Sequence, residues 1–384
     1  MGHVPYDFNR MLQRYPNVLD LLNRIVTGDA YFHLFQSLSD NYSPSLTVSR
    51  VQGGLVKELM AAGSGNAARL QIDTNLRRSG SIGVKVGTGR PSVWLTAHAD
   101  ICSYLTEPWD GSGYPLTPFC SHRSSAGRRT AMALAEPRGY GPLERIVEGV
   151  MVTDEQNNVR FECDNPNLPR STRVVHHQAA AWDRKSDVVT GFLDNQAGSA
   201  AGLLAAQVLS HLDADVLVVV NDEEEGPVDK GNQGFSRAAN RLLHRTPLEE
   251  LPDYVVVSDG HGQEEAIKNG LPTAFGTGAS YAGYSSHTRG AVTPPQLLAF
   301  ARDLGVWLEP HGILLRENNG YVGRSDDISA MQFTPNVSII GYPGAYSHFE
   351  KPPISHMADL VNLTKTLVII ALMAQDPAWR EAYL

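Results

Sequence analysis

Val216-Leu217-Val218-Val219-Val220-Asn221-Asp222-Glu223-Glu224-Glu225-Gly226 is the stretch that decides the fold. Five apolar, mostly β-branched residues in succession suit a strand covered on both faces, the kind found in the sheets of α/β proteins. Four acids follow at once. Crowded at a strand mouth they would repel one another strongly unless cations neutralised them. A solvated acidic loop is the plainer alternative for a charge run, but the buried strand carries the first acids into a crevice. If Glu224 binds a metal ion there, Glu223 is placed to act as general base.

Three more strands end in the same way. Ser92-Val93-Trp94-Leu95-Thr96-Ala97 precedes His98, Tyr254-Val255-Val256-Val257 precedes Asp259, and Asn336-Val337-Ser338-Ile339-Ile340 precedes His348 through a loop expected over residues 341–346. Open α/β sheets place their ligands just beyond the carboxyl ends of such strands. Asp194 opens Leu193-Asp194-Asn195-Gln196-Ala197-Gly198 before an Ala-rich helix; an N-cap Asp would look the same locally, and only companion ligands separate the two readings. Histidines with carboxylates suit zinc, cobalt or manganese, and an Asp between two ligand pairs can bridge two ions. Asp100, two residues from His98, shares its face in an extended chain and can orient the imidazole. His356 rivals His348 as the closing ligand, although its place just ahead of an apolar helical run, within the first turn or cap, points it away from the strand mouth.

The rest of the chain frames that cluster. With 384 residues, 42% of them hydrophobic and 19% charged, it is long enough for two domains. A net charge of −9 without a basic run argues against a nucleic-acid surface. No apolar segment has signal-peptide or membrane-span character, and the three cysteines, Cys102, Cys120 and Cys163, form neither a disulfide framework nor a zinc ribbon. A reduced, cytoplasmic protein without a membrane partner is expected. Helical periodicity marks residues 8–38, 46–62, 194–212 and 358–375, while the Gly- and Pro-rich stretch 108–118 and the strand pieces 150–153 and 159–163 read as a small β domain inserted into an α/β one.

The order His-x-Asp, Asp-Asn, Glu-Glu-x-Gly, Asp, His resembles that of the dinuclear metal aminopeptidases of metallopeptidase family 42, the glutamyl and tetrahedral (TET) aminopeptidases, over nearly the whole chain. Gly323-Arg324-Ser325-Asp326-Asp327 is similar to that family's Gly-Thr-Asp-Ala substrate loop, and Tyr346-Ser347-His348 to its Arg-Tyr-x-His. The long gap between His98 and Asp194 fits the aminopeptidase branch, since related carboxypeptidases and deacylases insert their second domain between the fourth and fifth ligands. The resemblance implies a mixed-sheet catalytic domain sandwiched by helices, residues 1–106 and 183–384, with a β-rich barrel or PDZ-like insert at 107–182. It further implies that His98 and Asp259 bind one ion, Glu224 and His348 the other, Asp194 bridges, Glu223 is the base, and Ser325 and Asp326 meet substrate. Two divalent ions per chain, zinc foremost, peptide substrates and a homo-oligomer between dimer and dodecamer complete the expectation. An amidohydrolase or deacylase on a non-peptide amide, a scaffold that kept the metal site and a magnesium phosphoesterase are the competing readings. The chain departs from the family pattern at Ser43-Pro44-Ser45-Leu46-Thr47, at Gln196 in place of Arg, and at Arg324-Ser325.

Overall fold

The computed structural model of the protein describes residues 6–122, 125–136, 138–227, 236–285, 292–318 and 320–384. At its centre four strands lie in the order Val216–Asn221, Val93–His98, Tyr254–Val257 and Val337–Ala345, each parallel to its neighbour. Their side chains alternate between two cores. Val216, Val218 and Val220 pack with helices Gly28–Ser39, Leu193–Leu209 and Met357–Met373, whereas Leu217 and Val219 face Leu242, Leu243 and Ala330. Apolar burial on both faces is why these strands read as unbroken hydrophobic runs. Ile82–Val86 and Leu70–Asp73 extend one side antiparallel, and Ala279–Ala282 and Ile354–His356 pair antiparallel with Val337–Ala345, so the sheet is mixed.

Helical periodicity over residues 8–38 resolves into three helices, Asn9–Arg14, Val18–Ile25 and Gly28–Ser39. Pro16 disfavours helical backbone at Tyr15 and ends the first, and the Thr27 hydroxyl accepts a hydrogen bond from the Ala30 N–H to start the third. The loop expected over residues 341–346 is instead mostly strand, which runs to Ala345. Gly341 is there for room: a Cβ on it would stand 1.9 Å from the Asp259 carbonyl oxygen, so the glycine marks a close approach of two backbones and not a break.

Between Tyr104 and His176 six strands close into an antiparallel barrel, with Tyr114, Met151, Phe161 and Val174 in its own core. An apolar seam of Tyr42, Ile101, Met132, Val175, Phe192 and Phe349 joins it to the sheet domain. Among the described residues no single helix is long and apolar enough to cross a membrane.

Candidate metal centre

Parallel register sets the site. Asn221 is aligned with His98 and Val257 with Thr96, so the acidic loop, His98 and Asp259 leave the sheet at one level. His98 is fully buried. Its Nε2 makes no hydrogen bond of good geometry, yet it stands 3.1 Å from Asp194 Oδ1, 3.6 Å from Glu224 Oε2 and 3.7 Å from Asp259 Oδ2. Ligands held tetrahedrally at zinc distances lie about 3.4 Å apart, so the residues fit a shared cation. His98 Nδ1 meets the Asp100 carbonyl oxygen at 3.3 Å and its carboxylate at 3.4 Å.

Asp194 reaches both histidines, with Oδ1 toward His98 and Oδ2 3.8 Å from His348 Nε2. It does not cap its helix; Asn195 Oδ1 accepts the Gly198 N–H at 3.2 Å instead. The Asp194-Asn195 peptide is cis. Beyond Asp194, His348 is grouped with Glu225 and Cys102, the thiol lying 3.1 Å from Glu225 Oε2 and 3.6 Å from His348 Nδ1. His348 follows the strand end Ala345 after only Tyr346 and Ser347. The next residue, Phe349, stacks on barrel residue His176 with ring centroids 4.5 Å apart, while Arg129 of the barrel donates to the carbonyls of Phe349 and Glu350. His356 is not part of the cluster: it precedes helix Met357–Met373 and pairs with Asp187 at 3.5 Å.

The three glutamates go to three different sets of partners. Glu223, at a left-handed φ of 59°, is buried and turns to Arg241, whose Nη1 donates to it at 3.2 Å. Glu224 is the residue that joins His98 and Asp259, and Glu225 the one that joins His348. Asp100 enforces this by accepting the N–H groups of both Glu224 and Glu225 at 3.1 Å, and Ser45 donates to it at 2.7 Å. Asp222 turns away to accept the Leu46 and Val48 N–H groups at the start of helix Val48–Ala62. Asp326 is likewise not brought to the cluster. Asn221 and Ser236 donate to it below the acidic loop, and burial raises its pKa to about 6. Ser325 stays beside Asp259, whose pKa burial and Asp194 raise and His98 and Ser325 partly restrain. Arg241 and Cys102 had no motif to mark them in the sequence.

Charge in this pocket is unbalanced. Burial opposes ionisation of His98, but Glu224 and the contacts with Asp100, Asp194 and Asp259 hold its pKa well above the ordinary value. Asp194 is pulled to about 2 against its burial by His98 and His348. Burial pushes Glu224 and Glu225 well up, and repulsion between them and from Asp194 adds to it. Two histidines do not neutralise four clustered carboxylates, whereas divalent cations would.

No protein-family model matches the chain, and no curated sequence matches it significantly. Solved structures do. An aminopeptidase from the archaeon Desulfurococcus kamchatkensis superposes with a TM-score of 0.73 at 17% identity, over 93% of this chain and 98% of that one. A TET aminopeptidase from a marine sediment archaeon of the Thaumarchaeota gives 0.72 at 15%, over 93% and 99%. The TET1 peptidase of Pyrococcus horikoshii, which can assemble into a tetrahedron or a large octahedral shell, gives 0.64 at 17%, over 89% and 99%. The fold of this chain, barrel included, is the fold of those peptidases.

Proposed function

We propose that the chain is a metal-dependent aminopeptidase of this fold, working with two divalent ions, zinc foremost and cobalt or manganese as alternatives. The observation that carries the reading is Asp194, which offers one oxygen to the His98 group and the other to the His348 group. His98 and Asp259 would hold one ion, Glu225 and His348 the other. When bound, such ions polarise a carbonyl and lower the pKa of an attacking water. Glu224 takes the role that the Glu-Glu-x-Gly resemblance gives to Glu223: it accepts the proton of the attacking water and passes it to the leaving amine. Asp100 positions that base by gripping the backbone N–H groups of Glu224 and Glu225. Ser325, beside Asp259, is the substrate-loop residue nearest the reacting centre. Peptides are the substrate class, and the assemblies of the Pyrococcus protein support a homo-oligomer.

Titrating metal-stripped protein with zinc, cobalt or manganese against aminoacyl-anilides tests all of this at once. Turnover of free-amine substrates that saturates at two ions per chain and is lost to a chelator is the expected result. Turnover of N-acylated substrates alone would make the chain a deacylase, and none with any metal would remove the enzymatic reading.

A further inference from the structure

We infer that the second ion position carries a sulfur ligand, Cys102, so that the two positions differ in the metals they accept. The inference rests on the two-ion reading above and adds a residue which the His and carboxylate pattern lacks. Two clusters of candidate ligands exist among the described residues, and they share no member: His98, Glu224 and Asp259 in one, Cys102, Glu225 and His348 in the other. Asp194 stands between them. In the second cluster the Cys102 thiol lies 3.1 Å from Glu225 Oε2 and 3.6 Å from His348 Nδ1. Sulfur and oxygen or nitrogen ligands on one tetrahedral zinc are about 3.6 Å apart, so all three side chains can close on a common centre after small adjustments.

The imidazole of His348 presents Nε2 to Asp194 and Nδ1 to Cys102. A half-turn of the ring about Cβ–Cγ places Nε2 where Cε1 now lies, between the two, so that one nitrogen can share an ion with Asp194, Glu225 and Cys102. The position of Cys102 is well fixed. It lies in the short link from strand Val93–His98 to barrel strand Tyr104–Thr106, buried in the barrel core beside Cys120. On coordination the S–H bond breaks, the sulfur lone pair goes to the ion and the proton leaves to water. A thiolate selects zinc, cobalt or cadmium over manganese or magnesium. The first position, built of one histidine and carboxylates, has no such preference. In a mixture of zinc and manganese, zinc is therefore held at the Cys102 position while manganese competes at the other.

Cobalt and cadmium read this out without reference to turnover. Full-length protein stripped of metal and reloaded with cobalt should bind two ions per chain, and one of them should bring a sulfur-to-cobalt charge-transfer band in the near ultraviolet. Cys102→Ser should abolish the band and weaken one of the two positions by more than tenfold, with Cys120→Ser and Cys163→Ser retaining both. Because Cys102 is buried and its substitution can disturb folding, cadmium NMR of the unaltered chain gives a second measure: one of two resonances should show the downfield shift of a sulfur ligand. Two bound cobalt ions with no charge-transfer band, two cadmium resonances both of nitrogen and oxygen type, or a band that survives Cys102→Ser would overturn the sulfur ligand and leave the two-ion reading standing. Failure to bind cobalt or cadmium at all would overturn both.

Discussion

In the reading proposed above, the roles in the acidic loop lie one step along Glu223, Glu224 and Glu225 from those that the family resemblance implies. Glu224→Gln is expected to lower kcat by about 10²- to 10⁴-fold, the usual contribution of a general base, with metal content unchanged. Glu223→Gln should leave turnover within a few-fold and lower the unfolding temperature, because Arg241 loses its buried partner. Metal analysis and kcat on both variants decide the register; a dead Glu223→Gln with full metal would restore the one read from the sequence. His348→Ala should weaken one ion position beyond the roughly 10- to 100-fold typical of outer partners, while His356→Ala, which gives up the pairing with Asp187, should bind normally in competition with a chromophoric chelator. Apart from Asp194, the ligand types were legible because each follows an apolar run. Where each of the three glutamates turns was not, since identical side chains carry no local mark; a left-handed turn at Glu223 and the grip of Asp100 on two N–H groups direct them. Two departures from the family pattern also prove to be neighbours: Gln196 Nε2 donates to Ser43 Oγ at 3.3 Å and to the Ala99 carbonyl at 3.2 Å. Where the family has Arg, this chain has a neutral bond to its own altered loop.

Among the elements, the four central strands were readable from composition because helices or a second core cover both faces. Strand Val337–Ala345 was read short, since Gly341, Pro343 and Gly344 signal a turn by residue type, and the reason for Gly341 lies on the adjacent strand end, at Asp259. Gly341→Ala tests that reason. A methyl group 1.9 Å from the Asp259 carbonyl must push the strand ends apart, so the variant should lose metal affinity by at least tenfold with helical content retained, as checked by isothermal titration beside circular dichroism. Unchanged affinity would mean that the strands separate without moving the Asp259 carboxylate. Closure of the barrel was equally out of reach of local pattern: it depends on Tyr104–Thr106 pairing with Arg173–His176, two segments far apart in the chain.

For the whole molecule, Asp359 in the first turn of helix Met357–Met373 contributes a pH dependence separate from the metal cluster. Burial raises its pKa to about 7 although the Gly276 and Gly278 N–H groups donate to it. Between about 4 and 7 the folded chain thus keeps a proton that the unfolded chain has released, and stability falls as pH rises through this window. Asp359→Asn should remove that slope, so that urea unfolding shows the wild type losing up to roughly 3 kcal/mol relative to the variant between pH 5 and pH 8. A constant difference between the two proteins would place the Asp359 pKa in the ordinary carboxylate range. The clamp of His176 and Arg129 on the segment after His348 has a consequence of another kind. If His348 holds an ion as proposed, barrel docking orders that ligand and the ion in turn orders the segment on which the barrel docks, so the two events share one reciprocal coupling free energy. Loading the metal should slow amide exchange in the barrel strands, and loosening the barrel by Phe349→Ala should cost ion affinity by the same factor.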